Sequence, residues 1–495
     1  MSGLGGTPTR RGIGGAIMVR RARRLHSLSI ACTTLVVALL FCPTGHWASA
    51  QDLNPGPSTS DSGKARSGMS EPGVLPTGKS GGMSLQSAGK SGKGDSANRA
   101  RLFRRPGSGV PPAGERNYVP DEVVIELPAD TTDAAAEALA RRFGLARLES
   151  FNLQLTGTKL YRWRISDRRT VSTVVRALEA DRSVISVSPN YIMRLDGEAT
   201  VRDGGSPLEQ YALTKLQVQR AHTLARGGRI LIAIIDGGVD TSHPELAGVI
   251  AETFDAIGSG EPVHAHGTAV AGAIAAQARL KGTAPAALIL AARAFGADRD
   301  KAEGTTFYVV KAINWAVARG ARIINMSFSG PRDPKIELSL KAARAKGVIL
   351  VAAAGNAGPR SKPLYPAADP NVIAVTATDA VDKLFPAAVR GPHIAVAAPG
   401  VELWLPGLSG TYQETSGTSF AAAEVSGTVA LLLELKPDLG HDQVRRVLMT
   451  TARDLGPRGL DPQFGAGLVD AYRALLSVSP ATVGATHPRS ATDLH

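Results

Sequence analysis

Three short segments of this 495-residue chain carry side chains able to do chemistry: Ile-Asp-Gly-Gly-Val-Asp at 235–240, His-Ala-His-Gly-Thr at 264–268 and Ser-Gly-Thr-Ser at 416–419. An aspartate, a histidine and a serine are what a hydroxyl nucleophile needs. The imidazole takes the hydroxyl proton, and the carboxylate fixes the tautomer and orientation of the imidazole. Asp236 closes the apolar run Ile230–Ile235, and open α/β sheets place their sites at the carboxyl ends of parallel strands. A carboxylate binding a ribose would need a Gly-x-Gly-x-x-Gly turn after an earlier strand, and the sequence has none. His266 opens the small-residue stretch Gly267-Thr-Ala-Val-Ala-Gly272. At a helix N-terminus the dipole keeps an imidazole neutral and basic. His264 competes with it but lacks the Gly-Thr flank.

Ser419 begins the apolar helical stretch Phe420–Leu433. Serine at such a place is commonly an N-cap. As a nucleophile it would have its own N–H and the helix dipole aimed at a developing oxyanion. Asn356, in Ala-Ala-Gly-Asn-Ala-Gly at 353–358, reads in isolation as a turn residue. Beside the other three segments it reads as a second oxyanion donor.

The elements that must position these groups are legible as apolar runs. Ile230–Ile235, Ala287–Ala291, Ile323–Met326, Val348–Ala353 and Val372–Val375 are nearly continuous, as strands buried on both faces are, and helical stretches separate several of them. The fold class expected for 205–478 is therefore α/β, a mostly parallel sheet with helices on both faces. Residues 116–200 show strand Val123–Leu127, helix Thr132–Phe143, strands Leu148–Leu155 and Lys159–Ile165, helix Val171–Ala180 and strand Val184–Val187. That order is the split βαβ of a small α+β ferredoxin-like domain.

Residues 51–115 are dominated by Ser, Gly, Pro and Lys and are expected to be a disordered linker. Before it, Arg20, Arg21, Arg23 and Arg24 precede the apolar stretch Leu28–Phe41, and Ala48-Ser49-Ala50 offers a cleavage site. Residues 1–50 thus read as an export signal, with Met18 a more ordinary start, and the expected location is secreted or periplasmic. The apolar run is short for a membrane span, so no stable span is expected after cleavage. Cys32 and Cys42 both lie in this segment, so disulfides and thiol chemistry are set aside. Residues 479–495 read as a loose tail. The net charge of +13 is concentrated before residue 200, so a nucleic-acid partner is not expected.

The segments IAIIDGGVDTSHPEL (232–246), HGTAVAG (266–272), INMSFSG (324–330), AAAGNAG (352–358) and SGTSFAAAEVSG (416–427) together resemble the subtilisin-like serine peptidases over roughly 205–478. The resemblance implies that Ser419 attacks a peptide carbonyl, His266 shuttles the proton, Asp236 orients His266, and Asn356 with the Ser419 N–H holds the oxyanion. It further implies substrate binding by Ser327, Phe328, Ser329, Ala353, Gly355 and Leu364, with Leu364 limiting the pocket depth. Polypeptides are then the substrates, and 116–200 is a propeptide acting as an intramolecular inhibitor. The rival on this scaffold is a catalytically degenerate peptide-binding protein, against which the retained Asp236, His266, Ser419 and Asn356 argue. No cofactor is required. Many members hold structural calcium in the loop after the His-bearing helix. Here that loop reads Ala276-Gln-Ala-Arg-Leu-Lys-Gly282 with Glu245 as the accompanying acid, and the site is expected to be lost, because calcium wants six to eight oxygens. The chain departs from the family pattern at Ala423-Glu424, Gly237 and Ser329.

Overall fold

The computed structural model describes residues 108–195, 198–200, 210–296 and 302–479. The expected signal segment with Cys32 and Cys42, the linker up to residue 107 and all but the first residue of the tail lie outside the described residues.

The N-terminal part contains β1 (Tyr118–Pro128), α1 (Asp133–Arg142), β2 (Leu145–Leu153), β3 (Thr158–Ile165), α2 (Val171–Glu179) and β4 (Ser186–Leu195). Local chemistry sets its helices. The Thr132 hydroxyl accepts the Ala135 N–H at 3.2 Å, Thr170 caps α2 in the same way, and Val171, Val174, Val175 and Leu178 form the buried stripe of α2. The strands pair antiparallel in the order β4-β1-β3-β2. Successive residues of β1 face opposite ways. Val123, Ile125 and Leu127 pack under α1 and α2, while Val124 joins Leu160, Tyr191 and Met193 in a core shared with the C-terminal part. Burial on both faces explains why Val123, Val124 and Ile125 are apolar in succession rather than alternating with polar residues. The strand read from sequence at 184–187 continues to Leu195, because the second half of β4 finds partners outside its own sheet.

The C-terminal part begins with β5 (Glu198–Thr200) and the short helices α3 (Tyr211–Lys215) and α4 (Val218–Ala221). Then come β6 (Leu231–Asp236), β7 (Ile250–Asp255), α5 (Ala265–Ala275), β8 (Leu288–Arg293), β9 (Glu303–Thr305), α6 (Thr306–Ala318), β10 (Ile323–Met326), β11 (Phe328–Ser329) and α7 (Pro334–Ala345). The chain continues through β12 (Ile349–Ala353), β13 (Ile373–Thr378), β14 (Ile394–Pro399), β15 (Leu403–Pro406), β16 (Tyr412–Ser416), α8 (Thr418–Leu435), α9 (His441–Thr451) and α10 (Ala471–Val478). Seven strands form one parallel sheet in the order β14-β13-β12-β10-β6-β8-β7. Helices α5 and α8 bury one face and α6 and α7 the other. The order reverses at β6, the first strand laid down, and a crevice opens there beyond the strand ends. Asp236 ends β6, Ser327 follows β10, and Asn356 stands three residues beyond β12.

Candidate active site

His264 caps α5: its Nδ1 accepts the His266 N–H at 3.2 Å. The second histidine of the motif therefore has its own local task. His266 Nδ1 lies 2.9 and 2.8 Å from the two carboxylate oxygens of Asp236, both residues being buried. Asp236 Oδ1 also accepts the Gly237 N–H at 2.7 Å. Glycine at 267 is what permits this approach. A Cβ there would lie 2.0 Å from the Gly238 carbonyl oxygen and 3.1 Å from Asp236 Oδ1. The departure at Gly237 has an equally local cause, since a Cβ would lie 2.5 Å from that of His264.

Helix α8 begins at Thr418 with Gly417 as N-cap, so Ser419 is inside the helix and is not its cap. The Ser419 hydroxyl lies 3.3 Å from the Ser327 carbonyl oxygen, and the Ser327 hydroxyl donates to the Ser419 carbonyl at 3.0 Å. The phenyl ring of Phe420 packs 5.5 Å from the His266 ring. Asn356 Oδ1 accepts both the N–H and the hydroxyl of Thr418, at 3.2 and 2.9 Å. With the oxygen so used, the amide NH₂ is left as the donor, at the edge of the cavity that Asn356 lines. With no side chain at the cap, the first turn of α8 presents its positive end to the same crevice.

The other expected binding residues divide. Ser329 and Leu364 line a cavity of about 620 Å³. Leu364 presses on Gly355: a Cβ there would lie 2.8 Å from Leu364 Cδ1, and Gly355 has φ +101°. Phe328 offers the groove only its backbone, its ring being turned inward against Phe295. Ala353 belongs to the core and does not line the cavity. Thr418, which holds Asn356, and Asn325, which donates to the Ser327 hydroxyl at 2.9 Å, were not singled out by sequence. A polar side chain inside the apolar run Ile323–Met326 was the available signal for Asn325, and Thr418 stood out only by its place beside Ser419.

The groove holds a strand of the chain itself. In β4, Ile192, Met193 and Arg194 pair antiparallel with Thr305, Gly304 and Glu303 of β9, while Arg194 and Leu195 pair with Ser329 and Phe328 of β11. Beyond residues 196–197, which lie outside the described residues, Glu198 of β5 pairs with Ser416 of β16, three residues before Ser419.

At the calcium position the residues do not fit a cation. The Glu245 carboxylate accepts the backbone N–H groups of Ala278, Arg279 and Leu280 at 2.9, 2.8 and 3.0 Å, and the Tyr412 hydroxyl at 2.7 Å. The loop turns donors, not oxygens, toward the carboxylate, and Arg279 lies over the Tyr412 ring at 4.8 Å.

A parallel α/β sheet with a buried Asp–His pair and a serine at the head of a helix beside it defines a hydrolytic enzyme of the serine type. Comparison with known proteins agrees. Residues 227–467 match the model of the subtilase family and residues 104–190 that of the fervidolysin N-terminal prodomain. Thermitase of Thermoactinomyces vulgaris is 34% identical over 54% of this chain and 95% of its own, and subtilisin DY of Bacillus licheniformis 34% over 50% and 92%. The crystal structure of fervidolysin from Fervidobacterium pennivorans, a keratinolytic enzyme related to subtilisin, superposes with a TM-score of 0.63 at 26% identity, covering 75% of this chain and 63% of that one. This chain belongs to the subtilase family and is a serine endopeptidase with a fervidolysin-like N-terminal prodomain.

Proposed function

We propose that the protein is an exported endopeptidase made as a self-processing zymogen, cutting peptide bonds with Ser419 as nucleophile and His266 as general base and acid. Asp236 holds the imidazole with Nδ1 protonated, so that Nε2 takes the serine proton and returns it to the leaving amine. Asn356 and the Ser419 N–H receive the oxyanion of the tetrahedral intermediate.

The observation that carries the reading is the path of β4 and β5. An antiparallel ladder ends at Leu195 opposite Phe328, and a second starts at Glu198 opposite Ser416. Ser419 follows Ser416 by three residues, and its hydroxyl lies 3.3 Å from the carbonyl of Ser327, next to Phe328; this supports a cut between Leu195 and Glu198 that leaves β4 behind as the inhibitor. Export is supported by the Arg-rich, then apolar, first 50 residues. It is supported too by similarity to a protein named as the minor extracellular protease Epr of Bacillus subtilis, 34% identical over 55% of this chain and 42% of that protein.

The test is the full chain with Ser419→Ala, which should stay uncut and take up no fluorophosphonate probe, while wild type releases a protein beginning between Asp196 and Glu198. Normal processing of the variant on its own would overturn self-cleavage, and labelling of it would overturn the nucleophile.

A further inference from the structure

We infer that the groove selects substrates carrying a short acidic side chain immediately before the cut bond, with Lys362 supplying the charge that recognises it. The inference rests on the endopeptidase reading above and adds its substrate class.

The cavity of about 620 Å³ lies along the groove beside Asn356 and under Arg194 and Leu195 of β4. Its lining contains two cations of the C-terminal part, Arg332 and Lys362. Arg332 is neutralised by Glu337, at 2.6 Å. Lys362 is exposed and has no ion pair among the described residues. Its loop, Gly-Pro-Arg-Ser-Lys-Pro at 358–363, adds Arg360 and no acid. The one carboxylate in the lining, Glu115, comes from the N-terminal part, next to the strand that fills the groove. With that part released, the cavity is left with a cationic rim and no anion of its own.

Geometry says which substrate side chain meets this rim. A peptide bound in the register of β4 alternates its side chains between two faces. The residue two positions after that of Arg194 therefore faces the same way as Arg194, which lines the cavity. It is also the residue opposite Ser327, whose carbonyl lies 3.3 Å from the Ser419 hydroxyl. Counted along the sequence, two residues after Arg194 stands Asp196, which lies outside the described residues. Leu364, packed on Gly355, limits depth, and a deeply buried charge without a partner would be desolvated at high cost. A short acid keeps its carboxylate at the rim, within the field of Lys362, whereas a lysine there meets like charge.

The test uses self-processed wild type, Lys362→Ala and Lys362→Glu on a peptide library varied only before the cut bond, at low salt. An exposed pair is worth a few-fold, so wild type should favour Asp over Asn by about fivefold in kcat/KM. Lys362→Ala should lose that preference, Lys362→Glu should turn it toward Lys, and 1 M salt should flatten the wild-type ratio. Equal rates for Asp and Asn in wild type, or an Asp preference that survives Lys362→Glu, overturn the inference and leave the endopeptidase intact. Absence of both cleavage and fluorophosphonate labelling in wild type would overturn the two together.

Discussion

At the scale of single residues, the candidate site is built from side chains that neighbouring groups hold in place, Asp236 by His266 and Asn356 by Thr418. Asn356 is held through its oxygen by Thr418, so truncation removes a donor at the edge of the cavity together with the acceptor of the Thr418 N–H and hydroxyl. Asn356→Ala should lower kcat by about 10²–10³-fold with little change in KM, measured on the processed enzyme. A comparable rise in KM with kcat unchanged would make Asn356 a binding residue. Leu364 lines the cavity and lies against Gly355. Leu364→Gly should extend acceptance to Phe and Tyr before the cut bond, read from the same peptide library. If the glycine variant gains no aromatic substrates, Leu364 does not limit the depth.

At the scale of elements, two buried carboxylates hold the helices that carry the site, and each sets a condition on stability. Glu245 joins the loop after α5 to Tyr412 of β16, tying the His-bearing helix to the strand that leads into Ser419. Because backbone N–H groups and a hydroxyl satisfy it, excess chelator should leave Tm within a few degrees, whereas Glu245→Gln should lower it. A fall of more than about 10 °C in chelator would mean that a cation is bound after all. Glu424, on α8, is buried and accepts a hydrogen bond from the Thr283 hydroxyl. Burial pushes its carboxyl up to about 8. The folded state thus holds a proton that the unfolded chain releases near 4.5. The stability this gives is complete below that value, declines as pH rises and is lost as pH passes about 8. Glu424→Gln should flatten the fall in Tm between pH 5 and 8. An unchanged slope would exclude Glu424 as its source.

At the scale of the whole molecule, the N-terminal sheet is incomplete without the peptidase. Its second face packs on α6 and α7 through Leu160, Tyr191 and Met193, and polar bonds fix the register. Asn190 donates to Glu122 at 2.8 Å and accepts the Phe307 N–H at 3.2 Å, and the Tyr191 N–H donates to the Thr306 hydroxyl at 2.8 Å. Lys311 pairs with Glu149 at 2.6 Å. After the junction is cut, these bonds should keep the N-terminal part on the enzyme as a non-covalent inhibitor. Asn190→Ala leaves Glu122 and the Phe307 N–H without that partner, which costs about 1–3 kcal/mol. Dissociation measured after self-cleavage should strengthen roughly tenfold or more. Unaltered inhibition would show that the apolar face alone holds the two parts together.

What the sequence determined by itself was the set of candidate reacting groups and the strands and helices that carry them. Asp236 at the end of Ile230–Ile235, His266 before Gly267 and Ser419 after Gly417 were all legible, because strand ends, helix starts and the need for glycine are decided within a few residues. Boundaries moved by a residue or two at most of the C-terminal strands, where the apolar run and the hydrogen-bonded ladder end at different places. Tertiary structure alone decided which way side chains point and which distant groups meet. Ala353 and the Phe328 ring went to the core although both lie in groove-forming segments, since a strand end has two faces and only packing chooses between them. The length of β4 was invisible because its later partners, Gly304 and Phe328, are more than 100 residues away. Lys362 looks like an ordinary charge in the sequence, and Glu245 reads there as the acid of a calcium loop, whereas its partners are backbone N–H groups. Whether a charge is paired, buried or left facing a groove depends on what the fold brings within a few ångströms, and periodicity along one chain segment carries no record of that.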